Sequence, residues 1–333
     1  MKIILRFIIP ILSCLTLMTT PLSANTSRTE PAFSVKTLPN PYQNAGSGYS
    51  DLTLEPGAET TIALMISNDA DQIATFKYQA TNAFTNENII IDYAGHPTSQ
   101  QRVEGPHFTD LVSEKTGSIE LAAKSNQTIY FKVKMPDVPF EGQVMGGIHI
   151  NKISDKKAPV SGSIKNEFSF SSAVILRQGD QMATKPKLKL TKAKYQVTKS
   201  GSQVHGTLVN SAQAYRSGLK IKTEILRRAD QKVLFTEENV HRAIAPRTTT
   251  NTLVNLKDAL PAGKYYLKYT TTIDQHETST QAPFTVSKTD TVRSGLQIKN
   301  PLMFCLIVLG VLILGLVLLI IWLIYRQRKA KRN

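Results

Sequence analysis

Along most of this chain apolar and polar side chains alternate one for one. Ile129, Phe131, Val133 and Met135 alternate with Thr128, Tyr130, Lys132 and Lys134. Leu219, Ile221, Thr223 and Ile225 alternate with Lys220, Lys222 and Glu224, and Tyr265, Leu267, Tyr269, Thr271 and Ile273 with Tyr266, Lys268 and Thr270. Successive side chains of a strand point to opposite faces, so a period of two predicts antiparallel strands with one face on a core. Turn-forming groups separate the runs, among them Glu55-Pro56-Gly57, Asn68-Asp69-Ala70-Asp71, Ser200-Gly201-Ser202 and Pro261-Ala262-Gly263. No amphipathic helix of about a dozen residues shows outside the two apolar ends. The expected fold class is all-β, with two tandem immunoglobulin-like β-sandwich domains.

The alternation stops in an uncharged apolar run at residues 302–324. At about 1.5 Å per residue a helix of this length reaches roughly 34 Å, enough for a ~30 Å hydrocarbon core. Trp322 and Tyr325 stand where interfacial aromatics belong, and Arg326, Arg328, Lys329, Lys331 and Arg332 follow as a stop-transfer cluster that marks the cytoplasmic side. A C-terminal transmembrane helix at 302–324 with a basic cytoplasmic tail at 325–333 is expected. At the other end Lys2 and Arg6 precede an apolar stretch that runs into Pro21-Leu22-Ser23-Ala24, the order of a secretory signal at 1–24. The only cysteines, Cys14 and Cys305, lie in these two segments. The exported part therefore has no disulfide, which suits a Gram-positive bacterial surface better than an animal extracellular domain.

Between the ends, the polar stretch around residues 177–186 divides the chain into a first domain at 25–183 and a second at 184–287, with a polar stalk at 288–301. The net charge of +15 shrinks once partitioned: of 40 basic residues two belong to the leader and five to the tail, which leaves 33 against 25 acids. That mild surplus suits wall polyanions or a solvated lysine face equally, and the export signals argue against nucleic acid.

Candidate chemistry is sparse. The six histidines are scattered, with no i,i+4 pair and no cysteine beside them for a metal, and no nucleophile elbow or P-loop occurs. No catalytic residue, metal or cofactor is expected. Loop aromatics and amides in the first domain offer binding groups instead: Tyr42, Gln43, Tyr49, Asn86 and Tyr93. Sugar CH faces stack on rings while hydroxyls meet amides, so this set fits a glycan or its peptide stem.

The first domain resembles the peptidoglycan-binding domain of the WxL-interacting protein family. The segments that carry the resemblance are Phe33-Ser34-Val35, Pro39-Asn40-Pro41-Tyr42-Gln43, Gly48-Tyr49-Ser50-Asp51-Leu52, Ala83-Phe84-Thr85-Asn86, and Met135-Pro136 followed by Phe140-Glu141-Gly142-Gln143-Val144-Met145-Gly146-Gly147. The second resembles the family's host-binding domain through Pro186-Lys187-Leu188, Ala245-Pro246 and Leu260-Pro261-Ala262-Gly263-Lys264-Tyr265. Two departures stand out: Glu87-Asn88 replaces a glycine that often follows Thr-Asn, and Trp322 is the sole tryptophan, outside the second domain. The resemblance implies a membrane-anchored cell-surface adaptor that binds peptidoglycan or WxL-domain proteins without chemistry, with a host or matrix protein as the second domain's partner. The competing expectation is a spacer or assembly factor that captures a partner by β-strand augmentation.

Overall fold

The computed structural model describes residues 32–95, 102–153, 168–178 and 185–295, together with Leu309 and Trp322. The chain is all-β. In order the first domain contains β1 (Phe33–Thr37), β2 (Ser50–Thr53), β3 (Glu59–Asn68), β4 (Ala74–Asn82), β5 (Phe84–Thr85), β6 (Ile91–Asp92), a one-turn helix α1 (Phe108–Leu111), β7 (Thr116–Leu121), β8 (Asn126–Lys134), β9 (Gln143–Ile153) and β10 (Ser169–Arg177). Strands β1-β3-β8 form one sheet and β2-β10-β9-β4-β7 the other. Their inner faces share one core in which Leu64, Phe76, Phe131, Ile148 and Val174 are fully buried. The alternation at 129–135 is realised as expected: Ile129, Phe131, Val133 and Met135 are buried while Tyr130, Lys132 and Lys134 are exposed.

The second domain follows as β11 (Leu188–Thr198), β12 (Gly201–Asn210), β13 (Arg216–Arg227), β14 (Val233–Ile244), β15 (Thr248–Leu256), β16 (Gly263–Ile273) and β17 (His276–Val286). Sheets β11-β12-β15 and β14-β13-β16-β17 enclose a second core around Val204, Ile225, Tyr265, Leu267 and Tyr269. Helix α2 (Lys288–Gly295) starts on a reciprocal cap. The Asp290 N–H donates to Ser287 Oγ at 3.1 Å and the Ser287 N–H to Asp290 Oδ2 at 3.1 Å.

Among the described residues no helix is long and apolar enough to cross a membrane. The run at 302–324 lies outside them except for Leu309 and Trp322, both helical and half exposed. The expected leader at 1–24 and the basic residues Arg326, Arg328, Lys329, Lys331 and Arg332 lie outside them too.

Candidate functional site

Two of the segments that carry the family resemblance, residues 83–86 and 140–147, lie where the two domains meet. Strands β5 and β6 pair as a small hairpin, Phe84 opposite Asp92 and Thr85 opposite Ile91. Its tip is tied by Asn86, whose Oδ1 accepts from the backbone N–H groups of Asn88 at 3.0 Å and Ile90 at 3.2 Å. This local capping suits an asparagine, whose short side chain mimics a backbone turn. Ile89 takes a positive φ of 56° and joins the buried core of the second domain. Thr85, fully buried, completes the junction. Its Oγ1 accepts from the Ala245 N–H at 2.9 Å, and its carbonyl accepts from Thr250 Oγ1 at 2.8 Å. The first domain thus inserts a hairpin into the second, and a β-branched residue in left-handed backbone is held there by tertiary packing.

A second seam runs through Gln143 and Gln213. The Gln143 N–H donates to the Gln213 carbonyl at 2.6 Å, and Gln213 Nε2 donates back to the Gln143 carbonyl at 2.9 Å. The Tyr215 N–H reaches Gln143 Oε1 at 3.2 Å. Gly142, at φ +100°, lies so close that an added Cβ would overlap the Gln213 carbonyl. Gly146 admits the ring of Phe108 against β9, and Gly147 the Cβ and carbonyl of Tyr93. The glycines of this segment serve close approach, as their type suggests.

Between the seams lies an aromatic cluster. Ala83, Met145, Ile175 and Ala245 are buried together, with Tyr49, Tyr93 and Tyr215 packed around them. Burial, reinforced by the neighbouring Tyr49 and Tyr215 hydroxyls, pushes the Tyr93 phenol up to about 12. Beside the cluster Arg177 grips Asp51 with two bonds, Nε to Oδ1 at 2.7 Å and Nη2 to Oδ2 at 2.9 Å. Burial alone would raise the Asp51 carboxyl, but the hydrogen bonds from Arg177 and Asn44 prevail and hold it below its ordinary value.

The proposed glycan contacts separate into different roles. Tyr42 is the exposed one, at 42 %. Gln43 turns its amide inward to Ser47 Oγ at 2.6 Å and the Tyr49 carbonyl at 3.0 Å, bracing its own loop. Asn86 spends its oxygen on the hairpin tip, and Tyr49 and Tyr93 pack at the domain junction. Gln43 thus adjoins Tyr49, and Tyr49 and Tyr93 share the junction cluster, while Tyr42 alone of the five is exposed. The junction roles of Thr85, Ile89 and Gln213 went unread in the sequence because each acts on the other domain, which no local periodicity encodes.

The family profile described as the WxL Interacting Protein peptidoglycan binding domain matches residues 33–152, and that of the host binding domain matches 160–294. Together they cover most of the chain. The protein belongs to the WxL interacting protein family. No curated protein matches the chain in sequence. Among solved structures, the YadV chaperone matches at 10 % identity and TM-score 0.30, over 75 % of this chain and 100 % of that one. The E. coli chaperone DraB matches at 15 % and 0.28, over 77 % and 97 %. Pseudomonas aeruginosa CupB2 chaperone matches at 13 % and 0.25, over 68 % and 92 %. In this WxL interacting protein the host-binding match begins before β10, yet β10 pairs with β9 and β2 inside the first domain. Sequence similarity and structural unit therefore divide the chain at different points.

Replacing Thr85 with valine keeps shape but removes the acceptor for the buried Ala245 N–H. The expected cost is about 1–3 kcal/mol, read by denaturant melts as a loss of coupling between the two domains. A variant that melts like the parent, in one transition at the same midpoint, would mean the hairpin does not hold them together.

Proposed function

We propose that this family member is a single-pass, membrane-anchored surface adaptor of a Gram-positive cell, whose first domain binds peptidoglycan non-covalently and whose second faces a host or matrix ligand. It alters neither ligand. The two domains are immunoglobulin-like sandwiches in tandem, and a WxL-domain protein is a further partner of the assembly. The observation that carries the reading is the family's wall-binding and host-binding pair locked through the Thr85–Ile89 hairpin and the Gln143–Gln213 seam. A locked pair transmits load between two ligands instead of swinging on a linker. The apolar run at 302–324 with its basic tail supports the anchor, and tethering beside the wall makes even a millimolar site effective.

The test is fractionation and co-sedimentation with purified sacculi. The full-length protein is expected in the membrane fraction after alkaline washing, and in detergent it should pellet with sacculi and release no soluble muropeptides. Tyr42→Ala, at the exposed loop ring, should weaken pelleting without unfolding. Muropeptide release would make the protein an enzyme, and recovery in the cytosol would end the anchor.

A further inference from the structure

The first domain is open along one side. Strand β10 pairs with β9 over its whole length, from Ser169 to Arg177, but β2 covers it only from Val174 onward. The Leu54 N–H donates to the Arg177 carbonyl at 2.9 Å, which fixes the parity of the strand. Arg177 and every second residue before it turn their main-chain groups toward the β2 side. Those of Ser171 and Ser169 therefore meet no strand among the described residues. Across the gap, the Leu38 N–H donates to the Ala63 carbonyl and the Asp69 N–H to the Ala32 carbonyl, so even-numbered residues of β1 face β3. The main-chain groups of Val35 and Thr37 then face outward, toward the same opening.

A groove of 510 Å³ lies between the two edges, lined by residues 35–37 on one side, by residues 170–173 on the other and by Gly48 and Tyr49 just before β2; Thr37 Oγ1 and Ser172 Oγ meet across it at 3.1 Å. Phe170 falls on the inner face of β10 in step with Val174 and Leu176, yet it is 39 % exposed where they are sealed. Lys36 supplies the only charge among the nine lining residues, and no ion pair holds it among the described residues. A sheet edge whose N–H and C=O groups meet no strand among the described residues, an exposed inward aromatic and one cation together describe an acceptor for an added strand.

We infer that the β1–β10 edge captures an extended polypeptide segment of a partner protein, one that places an apolar side chain over Phe170 and Val35 and an acidic side chain beside Lys36. The segment would extend the β2 line along Ser169–Ser171, past Gly48 and Tyr49, which line the groove together with Ser172 and Ala173; three residues make about 10 Å of strand. Main-chain bonds would supply affinity, and the Phe170 and Lys36 positions would supply choice. The groove borders the loop that carries Tyr42, since Gly48 and Tyr49 at the end of that loop line it, but Tyr42 itself does not.

The test uses the purified full-length protein in detergent and three labelled octapeptides of alternating valine and serine, with glutamate, glutamine or lysine at a central polar position. The glutamate peptide is expected to bind tightest, several-fold above the lysine peptide, as for an exposed ion pair. Lys36→Glu should reverse that order without changing the fold. Ser171→Pro removes one outward N–H while leaving the β9 ladder intact, and should weaken all three peptides roughly tenfold. If that variant fails to fold, the reversal by Lys36→Glu decides alone. Equal binding of the three peptides, or an order that Lys36→Glu leaves unchanged, overturns the inference. So does saturable binding of a soluble muropeptide at this groove in a protein that ignores all three octapeptides.

Discussion

Truncating Phe131 to alanine is expected to destabilise the first domain by about 3–5 kcal/mol, the usual cost of emptying a fully buried aromatic site. Phe131 is wholly buried between the two sheets and meets Tyr78 edge-on, with ring centroids 5.7 Å apart. Ile62 lies opposite it on β3 and is itself buried, so no polar group stands ready to fill the cavity. Its neighbour Lys132 projects into solvent, and Lys132→Ala should stay within roughly ±0.5 kcal/mol. Denaturant melts of the two variants check the pair. Comparable losses would place the strand out of register by one residue, because a one-residue slip exchanges the faces.

The second large effect is expected at Asp51. The pair with Arg177 is nearly sealed, with side-chain exposures of 12 % and 9 %. Asp51→Ala leaves a buried guanidinium without its carboxylate, at about 3–5 kcal/mol. The folded-state pKa of Asp51 is lowered, so its stabilising contribution is present above the unfolded carboxyl pKa near ~3.9 and is lost as pH falls through the lower folded value. The gap between parent and variant, measured by chemical denaturation, should therefore be full at neutral pH and shrink in strong acid. A gap that is equally wide at both ends of the titration would mean the carboxylate is not the stabilising partner. The joint change Asp51→Leu with Arg177→Met should recover much of the loss, since two apolar groups leave no charge stranded.

The strands were legible because alternation is a local property: the pleat sends neighbouring side chains to opposite faces, and one buried face leaves its mark on every second residue. Phe131, Ile221 and Leu267 could be placed inside from their neighbours alone. The Gly142, Gly146 and Gly147 positions were legible as points of close approach, though not what approaches them. Gly142 faces the Gln213 carbonyl from the other domain, more than seventy residues away. The candidate site was less readable. Tyr42, Gln43, Tyr49, Asn86 and Tyr93 have the chemistry of a glycan contact, but burial and hydrogen bonding assign them to separate tasks. Gln43 and Asn86 brace their own turns, and Tyr49 and Tyr93 pack at the junction.

By itself the sequence determined the all-β class, the inward faces of the long strands and the family, because these rest on periodicities and short motifs that survive without knowledge of contacts. Tertiary structure alone decided that Ile89 belongs to the second domain's core, that Asp51 and Arg177 form one buried pair across 126 residues, and that β10 outruns β2 to leave an open edge. Each is a long-range pairing. Which strand end goes uncovered depends on where a distant strand stops, and the free energy of a buried charge depends on the partner brought to it by the fold.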